Sequence, residues 1–161
     1  MIKITQIAIR IPSSIKNLKS NISDILGHTD WMDDHLKMKG HFGNYGAKDI
    51  ELDLSFNFKI IESCELEFIR TTSEFHWHEE IIGAIGDVIF LSHLGSYCDK
   101  KTMLDFDKIM INNGVRKLQD SFSYDHSNKR SSGIERQYHD IIYDTEEIFG
   151  FRLKLTSKIG E

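Results

Sequence analysis

SHLGSYCDKKTMLDFDKIMINNG, residues 92–114, carries a pattern that the chain contains twice. It opens as a short alternating strand around His93. An amphipathic helix follows, with Met103, Phe106 and Met110 at helical spacing, and stops at Gly114. Residues 5–27, TQIAIRIPSSIKNLKSNISDILG, run through the same events: strand, helix, terminal glycine. Gln6 with His93, Gly27 with Gly114 and Glu67 with Lys154 all stand 87 residues apart. Strand–helix pairs that end in glycine are common, so chance is the plain alternative. The match reaches the last strand of each half, which favours an internal duplication.

Working outward, residues 2–11 alternate as a strand, with Ile7, Ile9 and Ile11 on one face and Gln6, Ala8 and Arg10 on the other. Pro12 ends it, Ser13 or Ser14 caps a helix, and Ile15, Leu18, Ile22, Ile25 and Leu26 form its apolar stripe up to Gly27. Residues 28–48, with Gly40, Gly43 and Gly46 among aromatic residues, predict a short strand and a loop, with Trp31 and Phe42 as packing residues. A lid over Gly40–Gly46 stays open. Strict alternation over 51–60 predicts a half-buried strand, paired with 62–71, where Glu65, Glu67 and Ile69 share a face. Residues 72–86 read as the connection between halves. The second half then supplies a strand over 88–98, a helix over 102–113, a strand over 115–124, a polar loop over 125–133 and strands over 136–143 and 151–157, these last two joined by a turn through 144–150. Each half reads β-α-β-β-β. The expected class is therefore α+β: two modules, 1–80 and 81–161, forming curved mixed or antiparallel sheets around a shared cavity.

Bulk properties narrow the function. At 161 residues the chain is long enough to bury a real core, and its 40% hydrophobic and 28% charged content is that of an ordinary globular protein. A net charge of -5 argues against nucleic-acid binding, which needs a basic face. Two cysteines, Cys64 and Cys98, make no disulfide framework and read as small strand residues. No apolar run approaches a membrane span, and MIKITQIAIR enters a strand with no signal-peptide core, so a cytoplasmic location is expected.

QIAIRIPS, CELEFIR, SHLGSYC and the terminal IIYDTEEIFGFRLKL, in this order and at a common offset, resemble the vicinal oxygen chelate superfamily, the glyoxalase, bleomycin-resistance and extradiol dioxygenase group. The resemblance implies that four strand positions converge between the modules. In the metal-dependent members they supply His or Gln, Glu, His and Glu to one divalent metal. Gln6, Glu67 and His93 match those ligand types, but Lys154 stands where the family has a glutamate that is both ligand and, in glyoxalases, proton-transfer base. A charged ammonium cannot ligate a metal and is repelled by a dication. The cofactor expectation is thus none, or one divalent ion (Zn, Ni, Mn or Fe).

Three outcomes stay open for Lys154. Its ammonium takes the metal's place, paired with Glu67; or it turns away while His78 or His126 completes a metal site; or burial deprotonates it into a base or Schiff-base nucleophile. His76 and His78 in FHWHEE share a face if extended, though a polar connecting loop is the plain reading. His126 sits in a polar stretch whose ordinary reading is an Asx-type turn around Asp125 and Asn128. Arg10 shares a face with Gln6 and is a candidate for an anionic group. Two functions follow from the resemblance: a bleomycin-resistance-like protein binding a small, anionic molecule through Gln6, Arg10, His126 and Lys154, or a metal-dependent lyase or isomerase of glyoxalase or epimerase type. Glu67 and Lys154 would be its catalytic pair, acting through an enediolate. A homodimer is implied by resemblance alone; no membrane or nucleic-acid partner is expected.

Overall fold

The structure, a computed structural model, describes residues 2–27, 30–126 and 137–159. In chain order it forms β1 (Gln6–Arg10), α1 (Leu18–Leu26), β2 (Met32–Phe42), a 3-10 turn (Gly43–Tyr45), β3 (Ala47–Ile61), β4 (Cys64–Thr71), α2 (His78–Ile85), β5 (Phe90–Tyr97), α3 (Lys100–Asn112), β6 (Lys117–His126), β7 (Tyr138–Tyr143), α4 (Glu146–Phe149) and β8 (Leu153–Lys158). The eight strands close into a barrel in the order β1-β4-β3-β2-β6-β7-β8-β5. Closure leaves no unpaired edge, and eight strands enclose a space just wide enough for side chains and one small ligand.

Both halves follow one plan. Within each, the first strand lies parallel to the last: Ile7 pairs with Leu66 and Ala8 with Glu67, while Leu94 pairs with Leu153 and Gly95 with Lys154. The halves join through antiparallel pairs, β1 with β5 and β2 with β6. On β1 the alternation works as expected. Gln6, Ala8 and Arg10 are buried on the inner face, and Ile7, Ile9 and Ile11 pack outward with Leu66, Phe68 and Ile15, Leu18 and Ile22 of the α1 segment. In the second half Met103 and Met110 of α3 cover Ile141, Tyr143, Leu153 and Leu155. A third apolar cluster, with Leu36, Met38, Leu52, Leu54 and Ile69, fills the first half's side of the interior.

Several expectations need correction. Residues 32–42 are a full eleven-residue strand rather than a short strand and loop. Leu36, Met38 and Phe42 alternate inward, and Gly40 breaks the pattern because β2 and β6 approach so closely there that a Cβ would collide with the Asp120 carbonyl. Gly43 and Gly46 take positive φ in the turn to β3, so this stretch makes a hairpin connection. Trp31 and Phe42 do pack, Trp31 stacking on Phe68 at 4.8 Å between centroids. The first helix begins at Leu18 rather than after Ser14. Its Ile25 and Leu26 face out, Ile25 at 79% exposure, so the buried stripe is shorter than the pattern suggested. Alternation in β3 holds only to Phe56: Asn57 accepts from the Lys59 and Ile60 amides through its side chain, interrupting the pairing and leaving Phe58 half exposed. The turn over 144–150 contains α4. The expected polar loop over 125–133 falls, past His126, outside the described residues.

The connection over 72–86 is the largest departure. Residues 76–78 are the interior plug of the barrel: His76, Trp77 and His78 are 2%, 1% and 0% exposed, with ring centroids 4.1–5.3 Å apart. The Trp77 indole N–H donates to Gln119 Oε1 at 3.2 Å, satisfying the one polar atom its burial would orphan. Glu79 and Glu80 then occupy the first turn of α2, where carboxylates favour the positive end of the helix.

Candidate functional site

A cavity of about 90 Å³ lies inside the barrel, lined from both halves. Drug-sized ligands occupy sites of about 300–1,000 Å³, so this one admits a handful of heavy atoms. Leu36, Met38, Leu52, Leu54, Phe56 and Ile69 make its apolar wall. The opposite wall is polar: Gln6, Glu67, His93, Asp140, Lys154 and Thr156. A larger groove of about 660 Å³ shares Tyr97, Tyr138 and Thr156 with the cavity.

Inward alternation brings the four convergent positions together, each on a different strand. His93 Nε2 stands 3.2 Å from Gln6 Oε1 and 3.7 Å from Glu67 Oε2. Lys154, next to Glu67 in charge terms, pairs directly with Asp140 at 3.5 Å and not with Glu67; Asp140 Oδ1 also accepts from Thr156 Oγ1 at 2.6 Å. Arg10 does not line the cavity. Its guanidinium is held by the Asp87 carboxylate and the Val88 carbonyl, over the Phe90 ring. His78 lines the cavity too, but its ring belongs to the plug. The His126 backbone closes β6 opposite Leu36, and its side chain lies outside what the structure describes. Among the described residues, no three His, Cys, Asp or Glu side chains are grouped to hold a metal.

The direction of hydrogen bonding settles which atoms carry protons. Gln6 Nε2 donates to Glu65 Oε1 at 2.5 Å, so Gln6 Oε1 is an acceptor and the facing His93 Nε2 carries hydrogen. Burial above all, then the Lys154 charge, pushes the His93 pKa well down and keeps the ring neutral. Its Nδ1 therefore accepts from Ser92 Oγ at 3.0 Å, and Ser92 Oγ in turn accepts from His78 Nε2 at 2.7 Å. That leaves His78 Nδ1 as a bare lone pair, and it is indeed a buried atom without a partner. Gly95 makes room for this arrangement, since a Cβ there would sit 2.5 Å from Gln6 Oε1.

Electrostatics follow from burial and one ammonium among three carboxyl groups. Burial raises the Glu67 pKa to about 8, with Lys154 pulling it down and Glu65 and Asp140 pushing it further up. The 3.7 Å approach of Glu67 to His93 is accordingly a contact of two neutral groups near pH 7, not an ion pair. Burial works against the charge on Lys154, but Asp140, then Glu67 and Glu65, more than offset it and raise its pKa above the ordinary value. This favours the ammonium form of Lys154 over the free amine that a base or Schiff-base role needs.

The fit to a divalent metal can be tested on these atoms. Glu67 Oε2 is buried without a partner and aimed at the centre, as a ligand would be. Against it, His93 presents an N–H where a metal needs a lone pair, and Lys154 keeps its positive charge at the fourth position. As folded, the donor set does not fit the metal.

No protein-family model matches the sequence and no curated protein matches it. Solved structures do. A variant of 4-hydroxymandelate synthase from Streptomyces coelicolor superposes with a TM-score of 0.56 at 9% identity, over 99% of this chain and 50% of that one. Methylmalonyl-CoA epimerase from Mycobacterium tuberculosis gives 0.53 at 9% identity, over 96% and 86%. A variant of the Streptomyces coelicolor epimerase, in complex with 2-nitronate-propionyl-CoA, gives 0.53 at 13% identity, over 99% and 96%. These are vicinal oxygen chelate proteins, and this chain has their fold: α+β, a curved mixed eight-stranded sheet, here closed, with helices outside.

Sequence reasoning missed Glu65, Ser92, Asp140 and the plug. Glu65 was readable, since alternation set it beside Glu67 on one face of β4. Asp140 alternates with Ile142 on β7 in the same way, but nothing singled out a lone aspartate. The His78–Ser92–His93 chain had no sequence signal, because it links residues whose neighbourhood exists only once the plug folds inward.

Proposed function

We propose that this protein binds a small oxygen-bearing molecule in the barrel cavity without a resident metal, the Lys154 ammonium standing where metal-dependent proteins of this fold hold their ion. One observation carries the reading: a largely buried, charged lysine, its side chain 13% exposed and anchored by Asp140, lines a cavity beside Gln6, Glu67 and His93. A buried ammonium tolerates desolvation only where carboxylates surround it, and the N–H bonds that Asp140 leaves free can be offered to a ligand oxygen. The likeness to proteins bound to acyl-CoA compounds agrees with a carbonyl-containing ligand. A homodimer, implied by the resemblance, is part of the same proposal and is checked by light scattering.

The test is a ligand-observed NMR screen of small oxo compounds and acids against the wild type and Lys154→Met. Hits lost in the folded variant support the reading; hits that bind both proteins equally contradict it. The metal-dependent alternative, an enediolate-forming lyase or isomerase, keeps one observation in its favour, the unpartnered Glu67 Oε2. It requires Lys154 to leave the cavity and His93 to change tautomer.

A further inference from the structure

The polar wall has a chemical preference, and it rests on the proposed metal-free site. Two donors face the ligand space with only long bonds to their present partners. His93 Nε2–H reaches Gln6 Oε1 only at 3.2 Å, and Lys154 Nζ reaches Asp140 only at 3.5 Å, both longer than the usual 2.9–3.0 Å. Lys154 has further N–H bonds to offer beside its Asp140 pair, and the single His93 N–H can be shared between Gln6 Oε1 and a ligand oxygen. Ser92 fixes the His93 tautomer, and through Ser92 so does His78. The orientation of the His93 donor is thus set by Ser92 and His78.

Charge is the second observation. Around the cavity stand one ammonium, Lys154, and the carboxyl groups of Glu65, Glu67 and Asp140. Arg10, the nearest guanidinium on the same strand as Gln6, is engaged by Asp87 and Val88. Lys154 is already balanced by Asp140, so a carboxylate entering the site finds no uncompensated positive charge. Taking it out of water weakens its binding with nothing to offset the loss. A neutral carbonyl carries the same acceptor oxygen without that cost.

We infer that the cavity selects the uncharged carbonyl compound, an amide, ester, thioester or ketone with a short apolar tail, over the carboxylate of the same shape. The carbonyl oxygen accepts from His93 Nε2–H and the Lys154 ammonium, and the tail lies against Leu54, Phe56 and Ile69. Ser92 is a positioning residue for this selection. An anionic ligand held by Lys154 and Arg10, the expectation from sequence, does not agree with where those two side chains are spent.

Pyruvamide and pyruvate differ by one NH2-for-O⁻ exchange and match in shape, so they make the experiment. Binding is measured at pH 7 by ligand-observed NMR and calorimetry on the full chain, with long-range proton–nitrogen spectra of the histidine rings. Pyruvamide is expected to bind at least tenfold more tightly than pyruvate, and His93 to show a protonated Nε2 and a bare Nδ1. Ser92→Ala should lose about tenfold for pyruvamide and change the His93 nitrogen shifts, while Ser92→Thr keeps both. Equal or tighter binding of pyruvate overturns the selection but leaves the small-molecule site standing. Binding of neither compound overturns both.

Discussion

The first half of the barrel, β1 to β4, and the second, β5 to β8, share strand order and register yet line the cavity with different chemistry. The first contributes mostly Leu36, Met38, Leu52, Leu54, Phe56 and Ile69; the second contributes His93, Asp140, Lys154 and Thr156. Their helices differ in the same sense. Helix α3 is thirteen residues long, buries Met103 and Met110, and is capped by Asp99, which accepts from the Thr102 amide at 2.7 Å. Helix α1 has nine residues, none buried, and no side-chain cap. One backbone plan thus tolerates a marginal helix in one half and a well-anchored one in the other. The second half can hold Lys154 and Asp140 because Leu153 and Leu155, on the opposite face of the same strand, are locked under α3.

The largest effect that separates the halves should come from Lys154→Met. It leaves Asp140 buried without its cation and should cost about 3–5 kcal/mol in denaturant unfolding, most of it recovered in the double variant with Asp140→Leu. Leu54→Ala, on the apolar wall, widens a cavity that already exists and should cost less, about 2–3 kcal/mol. A Leu54→Ala cost larger than that of Lys154→Met would reverse the assignment of the second half as the electrostatically demanding one.

Stability should peak near neutral pH, for opposite reasons on the two sides. Burial drives the His76 pKa down to about 3 and those of His78 and His93 well below the ordinary 6.5. The unfolded chain takes up protons that the native one refuses, so the stability that neutral histidines contribute is complete above pH 6.5 and lost as pH falls below it. Glu67 works in reverse. Its native pKa of about 8 exceeds the ordinary 4.5, the native state holds the extra proton, and stability falls as pH rises toward 8, by about 2 kcal/mol between pH 6.5 and 8. Glu67→Gln should flatten that alkaline limb in thermal melts and leave the acid limb unchanged. The smallest contrast is at the helix starts. Asp99→Ala should lower the melting temperature and Asn17→Ala should leave it nearly unchanged, and α1 amides should exchange hydrogen well before those of α3.

How much of this was legible depended on whether a residue's surroundings lie along the chain or across it. Faces of β1, β4, β5 and β8 were readable because alternation is local, and the resemblance implied that Gln6, Glu67, His93 and Lys154 meet between the halves. Strand β2 was hidden by Gly40, whose role is to let β6 approach, a cross-strand fact. The plug was hidden because FHWHEE looks polar, and its rings become interior only through Trp77 and the partners they find in Gln119 and Ser92. Arg10 was placed on the right face but not with the right partner, since Asp87 reaches it from 77 residues away.

Metal titration of the wild type and Lys154→Glu tests the central claim most directly. Each protein is stripped with chelator and titrated calorimetrically with Ni, Zn and Mn ions at pH 7. The account predicts no one-to-one binding by the wild type and the appearance of such a site in Lys154→Glu, abolished again by adding Glu67→Ala. A single tight ion per wild-type chain, lost on Glu67→Ala or His93→Ala, would contradict it and restore the metal to the centre of the barrel.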